Sequence, residues 1–226
     1  MQGHDFRTFA KLLNLPAAPC VLTGMATKGA AWHNAPVPPF LPGSDEDVRL
    51  LIVGLAPGLR GANRTGRPFT GDYAGELLYS TLCEFGFATG KFEARPDDSL
   101  RLLDACIVNA VRCVPPENKP VGSEINNCRQ FLTPMLTRFP NLDAVVTLGT
   151  IAHQSTVRAL GVPVSRHPFG HGKATDIGPL RIFSSYHCSR YNTNTGVLTD
   201  AMFRDVFKNV RAYLSEKAAG SARLSV

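Results

Sequence analysis

Apolar runs alternate with stretches of helical periodicity along most of the chain. Runs rich in β-branched residues predict strands at 48–55, 105–110, 144–148 and 180–185. Apolar residues at helical spacing predict helices at 73–85, 123–138, 151–160 and 197–215. Strands that alternate with helices in this way are typical of a parallel sheet covered by helices. We therefore predict a single α/β domain that spans residues 1–226.

Polar residues stand near the start of each predicted helix and can cap its first amides. The predicted N-caps are Asp72, Ser123, Thr150 and Thr195. The stretch 17–44 is rich in proline and glycine, so we expect residues 1–46 to form an irregular N-terminal arm. The last residues, 217–226, are expected to fray.

The composition narrows the choice of partner and location. The formal net charge of +6 favours a polyanionic partner, although a modest surplus of lysine and arginine is also common on solvated surfaces. No apolar run reaches about 18 residues, and the N-terminus lacks an apolar stretch of signal-peptide length. We expect a soluble, cytoplasmic, monomeric protein that does not contact membranes. Six cysteines, none in C-x-x-C spacing, predict reduced thiols instead of a disulfide framework.

Four segments with unusual chemistry follow predicted strands. They read GLAPG with its Arg- and Gly-rich extension, VNAVRCVPPENKP, LGTIAHQS and SSYHCSRYNTNTG. In an open α/β sheet, loops at the carboxyl ends of the strands form the ligand site. Glycines allow the backbone to approach a ligand closely, and arginines suit phosphate oxygens. The first segment is neither G-x-G-x-x-G nor a P-loop, so it does not support a mononucleotide or dinucleotide site.

Three of these motifs, in this order, resemble those of a known family. GLAPG with GANRTGRPFTGD, then VNAVRCVPPENKP, then YH-x-S-x-x-NTNTG are similar to the iron–sulfur branch of the uracil-DNA glycosylase superfamily, family 5 in particular. The resemblance runs from about residue 51 to about residue 198. It implies a central four-stranded, mainly parallel sheet flanked by helices. It also implies a monofunctional DNA glycosylase of base excision repair.

The implied enzyme acts on DNA that contains uracil. It flips the damaged nucleotide out of the stack and hydrolyses the N-glycosidic bond, which leaves an abasic site. Other deaminated bases remain open as substrates.

The resemblance also implies a pocket for the flipped base. Its predicted residues are Gly54, Leu55, Ala56, Pro57, Gly58, Phe69 and Asn109. Phe69 resembles the aromatic residue that stacks on the base, although simple core packing is the alternative. Asn109 resembles the amide that accepts from N3–H of uracil and donates to O4, a combination that opposes cytosine. A turn residue that bonds its own backbone is the alternative for Asn109.

The resemblance assigns catalysis to His187, Asp72 and Asn118. His187 resembles the histidine that contacts O2 of the base, where negative charge collects as the bond breaks. The first motif has Leu55 and Ala56 where some relatives carry a carboxylate, and the alternative carboxylate of family 5 aligns with Asp72. Asp72 can instead serve only as a helix cap. Asn118 is a further polar candidate near the sugar.

Contacts to DNA are predicted in the first motif and in the loop after His187. The predicted residues are Arg60, Arg64, Arg67, Ser189, Arg190, Tyr191, Asn192 and Asn194. Relatives commonly have His-Pro-Ser where this chain has His187, Cys188 and Ser189, and the loss of proline loosens the loop. Arg190 and Tyr191 are candidates to fill the gap left by the flipped nucleotide. An ordinary exposed loop is the alternative for both.

The cysteines bear on the question of a cofactor. The iron–sulfur relatives hold a four-iron cluster with four thiolates, two of which match Cys113 and Cys128. The closely spaced N-terminal pair is missing, and only Cys20 lies in that region. We therefore predict no cofactor and no metal, with Cys113 and Cys128 packed as small apolar groups.

Two other functions remain open at this point. A non-catalytic binder of damaged or single-stranded DNA would have the same fold, and the changed loop after His187 would fit a loss of catalysis. A nucleotide-processing enzyme unrelated to DNA is disfavoured, because the chain lacks the phosphate-binding fingerprints.

Overall fold

The computed structural model describes residue 33 and residues 35–224, with side chains as far as 220. The strands within these residues are β1 (Leu50–Gly54), β2 (Ala88–Thr89), β3 (Arg101–Leu102), β4 (Ala105–Asn109), β5 (Ala144–Leu148), β6 (Ala174–Ile177) and β7 (Leu180–Ser185). The central sheet has the order β4-β1-β5-β7-β6, and β2 pairs with β3 in a separate two-stranded sheet. In the central sheet only β6 is antiparallel to its neighbour.

Helices connect the strands and cover the sheet. They are α1 (Ala62–Thr65), α2 (Tyr73–Glu84), α3 (Gly122–Leu132), α4 (Met135–Arg138), α5 (Thr150–Ala159), α6 (Arg190–Asn194) and α7 (Asp200–Leu224). Short 3-10 turns occupy Asp45–Asp47, Pro116–Asn118 and Val164–Arg166. None of the described helices combines the length and apolarity that crossing a membrane requires.

The sheet is buried on both faces, which explains why its strands read as continuous apolar runs. In β1, Leu50 and Ile52 belong to the core cluster that includes residues of α2 and α7. Leu51 and Val53 alternate to the opposite cluster, which includes residues of α3, α4 and α5. The loops that follow β1, β4 and β7 therefore start from a sheet that is packed on both faces. β4 and β5 flank β1 on opposite sides, which is the arrangement that opens a crevice at strand ends.

The predicted α/β fold is confirmed, but the sheet has five strands instead of four. The extra strand is β6, whose sequence ATDI is largely exposed at the edge of the sheet. A short, polar edge strand has no apolar run by which periodicity could reveal it. β5 and β7 match the predicted bounds.

The predicted helix at 123–138 is two helices. Pro134 lies between α3 and α4 and stands at the N-cap of α4. Proline lacks the amide proton that a continuous helix needs, so the chain breaks there. The predicted cap Ser123 is also wrong, because α3 begins one residue earlier and Glu124 accepts from the amide of Val121 at 2.8 Å.

Two further caps and the tail need correction. The N-cap of α5 is Gly149 and not Thr150. Thr195 follows α6, whereas α7 begins at Asp200, where the Thr199 hydroxyl accepts from the amide of Met202. The tail predicted to fray from residue 217 is helical to Leu224.

Candidate active site

A cleft of about 250 Å³, including its open mouth, lies where β1, β4 and β7 end. Its lining residues are Ala56, Pro57, Gly58, Ala62, Phe69, Asp72, Ala74, Asn109 and His187. The structure thus brings together four side chains from three separate motifs: Phe69 and Asp72 from the first, Asn109 from the second and His187 from the last. Ala62 and Ala74 were not predicted, because an alanine carries no chemical signal that sequence reasoning could use.

Gly54 allows two side chains to meet at the end of β1. It pairs in register with Asn109 of β4. A Cβ atom at Gly54 would collide with Oδ1 of Asn109 and would lie 2.6 Å from Cζ of Phe69. The missing side chain therefore lets Asn109 and Phe69 approach each other beside the cleft. This close approach is the physical reason for a glycine in the first motif.

Phe69 is held in an unfavourable backbone conformation. Its φ is 52°, in the left-handed region that bulky residues avoid. Gly75 accommodates it, because any side chain there would collide with the carbonyl oxygen of Phe69. The ring is 6% exposed and stacks on His187, with centroids 5.9 Å apart and an interplanar angle of 26°. Such strain persists where the surrounding structure fixes it, often at functional sites.

Asp72 stands at the N-cap of α2, as predicted, but its side chain makes no capping hydrogen bond. Its Oδ1 atom is buried without a hydrogen-bond partner among the described residues. Its Oδ2 atom lies against Gly61, where a Cβ would collide with it. Burial raises the pKa of this carboxyl, and the amides of Ala74 and Gly75 oppose that shift without cancelling it. Asp72 is therefore a poorly satisfied carboxylate at the wall of the cleft.

His187 follows β7 and presents its ring to the cleft beside Phe69. Burial lowers the pKa of His187 to about 4, although part of the residue remains accessible through the cleft. The imidazole is therefore neutral near pH 7.

The loop that carries His187 is fixed by its own side chains. Asn192 donates from Nδ2 to the carbonyl of His187 at 2.8 Å, and Ser189 accepts from the amide of Asn192 at 3.3 Å. Cys188, which stands where relatives have proline, is buried and donates from Sγ to the carbonyl of Ala74 at 3.5 Å. These bonds connect the loop to the start of α2 and restrain it in the absence of proline.

Several predicted DNA-contacting residues lie exposed near these loops. Arg60 and Arg64 are exposed, and Nε of Arg64 donates to the carbonyl of Arg60. Arg190 lies 5.2 Å from the centre of the Tyr73 ring, and Tyr191 is 74% exposed. Asn194 is exposed at the end of α6.

Arg67 was predicted to contact DNA, but the structure buries it. It is 6% exposed and its two terminal nitrogens donate to the two carboxylate oxygens of Asp98 at 2.8 and 2.7 Å. Its Nε donates to the hydroxyl of Thr70. A guanidinium used in this way cannot reach a phosphate, so we remove Arg67 from the DNA-binding set.

Leu55 and Asn118 do not line the cleft. Asn118 is exposed at the end of the turn Pro116–Asn118 and has a positive φ of 57°. Its predicted position near the sugar stays a prediction.

The structure describes five of the six cysteines, including Cys113 and Cys128, the two that match cluster ligands of the iron–sulfur relatives. Cys113 takes part in a disulfide, which contradicts the predicted reduced thiol at this position. Cys128 is a partly buried free thiol whose pKa is raised by burial. Cys20 lies outside the described residues. Within those residues no group of three or more His, Cys, Asp or Glu side chains is placed to hold a metal.

Comparison with known proteins agrees with this geometry. A family model described as the uracil-DNA glycosylase superfamily matches residues 42–211. A type-5 uracil-DNA glycosylase of Thermus thermophilus is 42% identical over 187 residues, which cover 82% of this chain and 84% of that protein. A type-5 enzyme of Pyrobaculum aerophilum is 36% identical over 80% of this chain and 78% of that protein. A type-4 enzyme of Thermotoga maritima is 32% identical over 63% of this chain and 66% of that protein. The chain therefore belongs to the uracil-DNA glycosylase superfamily.

Proposed function

We propose that the protein is a uracil-DNA glycosylase that hydrolyses the N-glycosidic bond of uracil in DNA and leaves an abasic site. The observation that carries this proposal is the single cleft shared by Phe69, Asp72, Asn109 and His187. The names of its type-5 and type-4 relatives support the same activity. Base excision repair is the process that uses this reaction.

Phe69 and Asn109 are proposed to bind the flipped uracil. A planar ring beside the cleft suits stacking on any base. The Asn109 amide can accept from N3–H and donate to O4, whereas cytosine presents the opposite pattern at these positions. The other lining residues include Ala56, Gly58 and Ala62, whose side chains are small and leave room for larger bases. This favours additional deaminated bases as substrates.

His187 is proposed to stabilise the departing base. As the bond between C1′ and the base nitrogen breaks, its electron pair moves to the base and negative charge builds on O2. A neutral imidazole N–H can donate to that oxygen without first losing a strong interaction with water. The pKa of about 4, lowered by burial, supports a neutral donor at physiological pH.

Asp72 is proposed to act on the sugar side of the same bond. Positive charge develops on the sugar, and water then adds to C1′ and gives up a proton. A carboxylate with an unpaired buried oxygen is suited to stabilising the sugar cation or accepting that proton. Neither Leu55 nor Ala56 in the first motif can perform this task.

The DNA backbone is proposed to lie across the exposed residues of the two loops. The exposed residues are Arg60, Arg64, Arg190, Tyr191 and Asn194, and the partly exposed Ser189 and Asn192 lie beside them. Arginines and short polar groups bind phosphates without reading sequence. A monomeric state, a cytoplasmic location and the role of Asn118 remain predictions.

We further propose that catalysis needs no iron–sulfur cluster. The support is chemical: a four-iron cluster takes four thiolates, and the sequence lacks the N-terminal cysteine pair of its relatives. Iron analysis of the purified protein tests this point.

Incubation with uracil-containing oligonucleotides, followed by alkali, tests the main proposal. Strand cleavage that depends on uracil supports glycosylase activity, because abasic sites break in alkali. DNA that is retarded in a gel but stays intact supports the alternative, a non-catalytic binder. A panel with uracil, hypoxanthine, xanthine and thymine mismatches, each single- and double-stranded, then defines the substrates.

A further inference from the structure

A second group of aromatic and histidine side chains adjoins the strand that leads to His187. The rings of His171 and Tyr186 are stacked, with centroids 4.9 Å apart and an angle of 7°. Phe169 contacts Tyr186 on one side and His153 on the other. None of these four residues lines the cleft. Tyr186 nevertheless directly precedes His187 in the chain.

His171 extends the hydrogen-bonded ladder between β6 and β7 beyond its regular end. The amide of Ser184 donates to the carbonyl of Lys173 at 2.9 Å, and the amide of Gly172 donates to the carbonyl of Ser184 at 2.8 Å. Alternate residues of a strand donate on the same side, so the next donor on this side is the amide of Tyr186. Its acceptor is not a carbonyl but Nδ1 of His171, at 3.1 Å.

The segment that carries His171 is itself anchored. His153 is 1% exposed, its Nε2 bonds to the carbonyl of His167 at 2.7 Å, and its Nδ1 bonds to the Ser184 hydroxyl at 2.9 Å. One buried ring therefore ties the segment to β7. Because Nδ1 of His171 accepts a hydrogen bond from the amide of Tyr186, the proton of the neutral His171 ring is on Nε2. The two rings fix the position of Tyr186 from the β6 side.

We propose that His171 is a positioning residue for His187. Its Nδ1 atom holds the last amide before the catalytic loop, and so fixes where the chain leaves β7 and how far His187 reaches into the cleft. Misplacement of a catalytic group by about 1 Å can lower a rate about 10²-fold. The proposal rests on the catalytic role proposed for His187.

The test separates two properties of His171: its aromatic ring and the acceptor atom Nδ1. His171→Phe keeps an aromatic ring for Tyr186 but removes the acceptor, whereas His171→Asn supplies an oxygen close to the position of Nδ1. His167→Phe is the matched control, because His167 lies in the same segment but its ring bonds Thr175 and not the strand end. Single-turnover cleavage, uracil-DNA affinity, melting temperature and amide hydrogen exchange at Tyr186 are measured for each variant.

We expect His171→Phe to lower the single-turnover rate about tenfold, with uracil-DNA affinity changed less than about twofold. Tyr186 exchange should accelerate, since its amide loses its acceptor. His171→Asn should restore most of the rate and slow exchange, and His167→Phe should match the wild-type rate. An unchanged rate in His171→Phe overturns the proposal, and so does a His171→Asn variant as slow as His171→Phe.

The exchange measurement keeps this inference separate from the proposed function. A wild-type protein that does not cleave uracil-DNA refutes the proposed function. In that case Tyr186 exchange still decides whether Nδ1 of His171 holds the strand end: equal exchange in wild type and His171→Phe shows that it does not.

Discussion

Two carboxylates near the glycine-rich segment, the buried Asp98 and the partly buried Asp72, have opposite surroundings. Asp98 is 2% exposed, and each of its oxygens accepts one hydrogen bond from Arg67 and one from a backbone amide. Burial alone would raise its pKa, but these bonds outweigh burial and hold the pKa at about 2. The rings of Phe40 and Tyr79 pack near the guanidinium of Arg67.

Asp72 lies only five positions from Arg67 in sequence but has no such partner. Its Oδ1 atom is buried and unbonded among the described residues, and burial raises its pKa. The glycine-rich segment thus supplies Arg67, one half of a fully satisfied ion pair, and Asp72, a carboxylate with one oxygen unbonded among the described residues. The first stabilises the fold that presents the second. A strained or poorly solvated group of this kind is typical of a catalytic position.

The largest effect should follow from breaking the satisfied pair. Asp98→Ala leaves the charge of Arg67 buried without its partner, which costs about 3–5 kcal/mol of unfolding free energy. Urea denaturation measures this loss. Asp97→Ala is the control. Asp97 is exposed and its ion pair with Arg95 is long, at 3.9 Å, so the substitution should change the free energy of unfolding by less than about 0.5 kcal/mol. Equal effects of the two substitutions would contradict the account of Asp98.

The next largest effect concerns the base side of the cleft. His187→Ala removes the donor to O2, so the single-turnover rate should fall roughly 10²-fold or more while binding of uracil-DNA changes much less. Rapid-mixing cleavage and fluorescence anisotropy measure the two quantities. His167→Ala provides a control outside the cleft. A His187→Ala variant as fast as wild type would refute the proposed mechanism.

The pH dependence separates the two cleft groups. Asp72 must be ionised to act, and its raised pKa means that activity should fall on acidification at a pH above the ordinary aspartate value of 3.8. His187, with its pKa lowered to about 4, stays neutral over most of that range. A pH–rate profile should therefore show one acidic limb, about tenfold per unit, that disappears in Asp72→Asn. If the Asp72→Asn variant showed the same fall in activity on acidification, the titrating group would be another residue.

The smallest effect concerns the exposed arginines of the two loops beside the cleft. Arg60→Ala or Arg190→Ala should reduce the slope of log affinity against log salt for DNA by about 0.9, the value for one phosphate contact. Arg181→Ala is the control, because Arg181 pairs with Asp176 near the amino end of β7, away from His187. Unchanged slopes in Arg60→Ala and Arg190→Ala would place the DNA elsewhere.

The sequence predicted the buried parts of the fold better than its edges. β5 and β7 are apolar runs inside the sheet, and their bounds match because burial imposes the pattern. β6 is polar and exposed, so nothing in its residues distinguishes it from a loop. The break at Pro134 was visible in the sequence, but apolar periodicity on both sides concealed it.

At the site, the sequence revealed which residue types are present but not which tertiary partners they have. Motif order and strand ends indicated that Phe69, Asp72, Asn109 and His187 belong to one site, and one cleft contains them. Arg67 was assigned to DNA because sequence reveals its charge and not its partner, Asp98, which lies 31 residues away. His171 carried no signal at all, since its role depends on the end of a ladder that only the tertiary structure defines.

The most direct test of the account is Asp72→Asn, measured for both rate and stability. Asparagine can also occupy an N-cap, so the helix start is preserved and only the charge is lost. Because the folded state raises the pKa of Asp72, the charged form weakens the fold at pH values above that pKa, and its removal should raise the melting temperature near pH 7. We predict a more stable protein with a single-turnover rate lowered roughly 10²-fold. A variant with the wild-type rate, whatever its melting temperature, would contradict the assignment of Asp72 to catalysis.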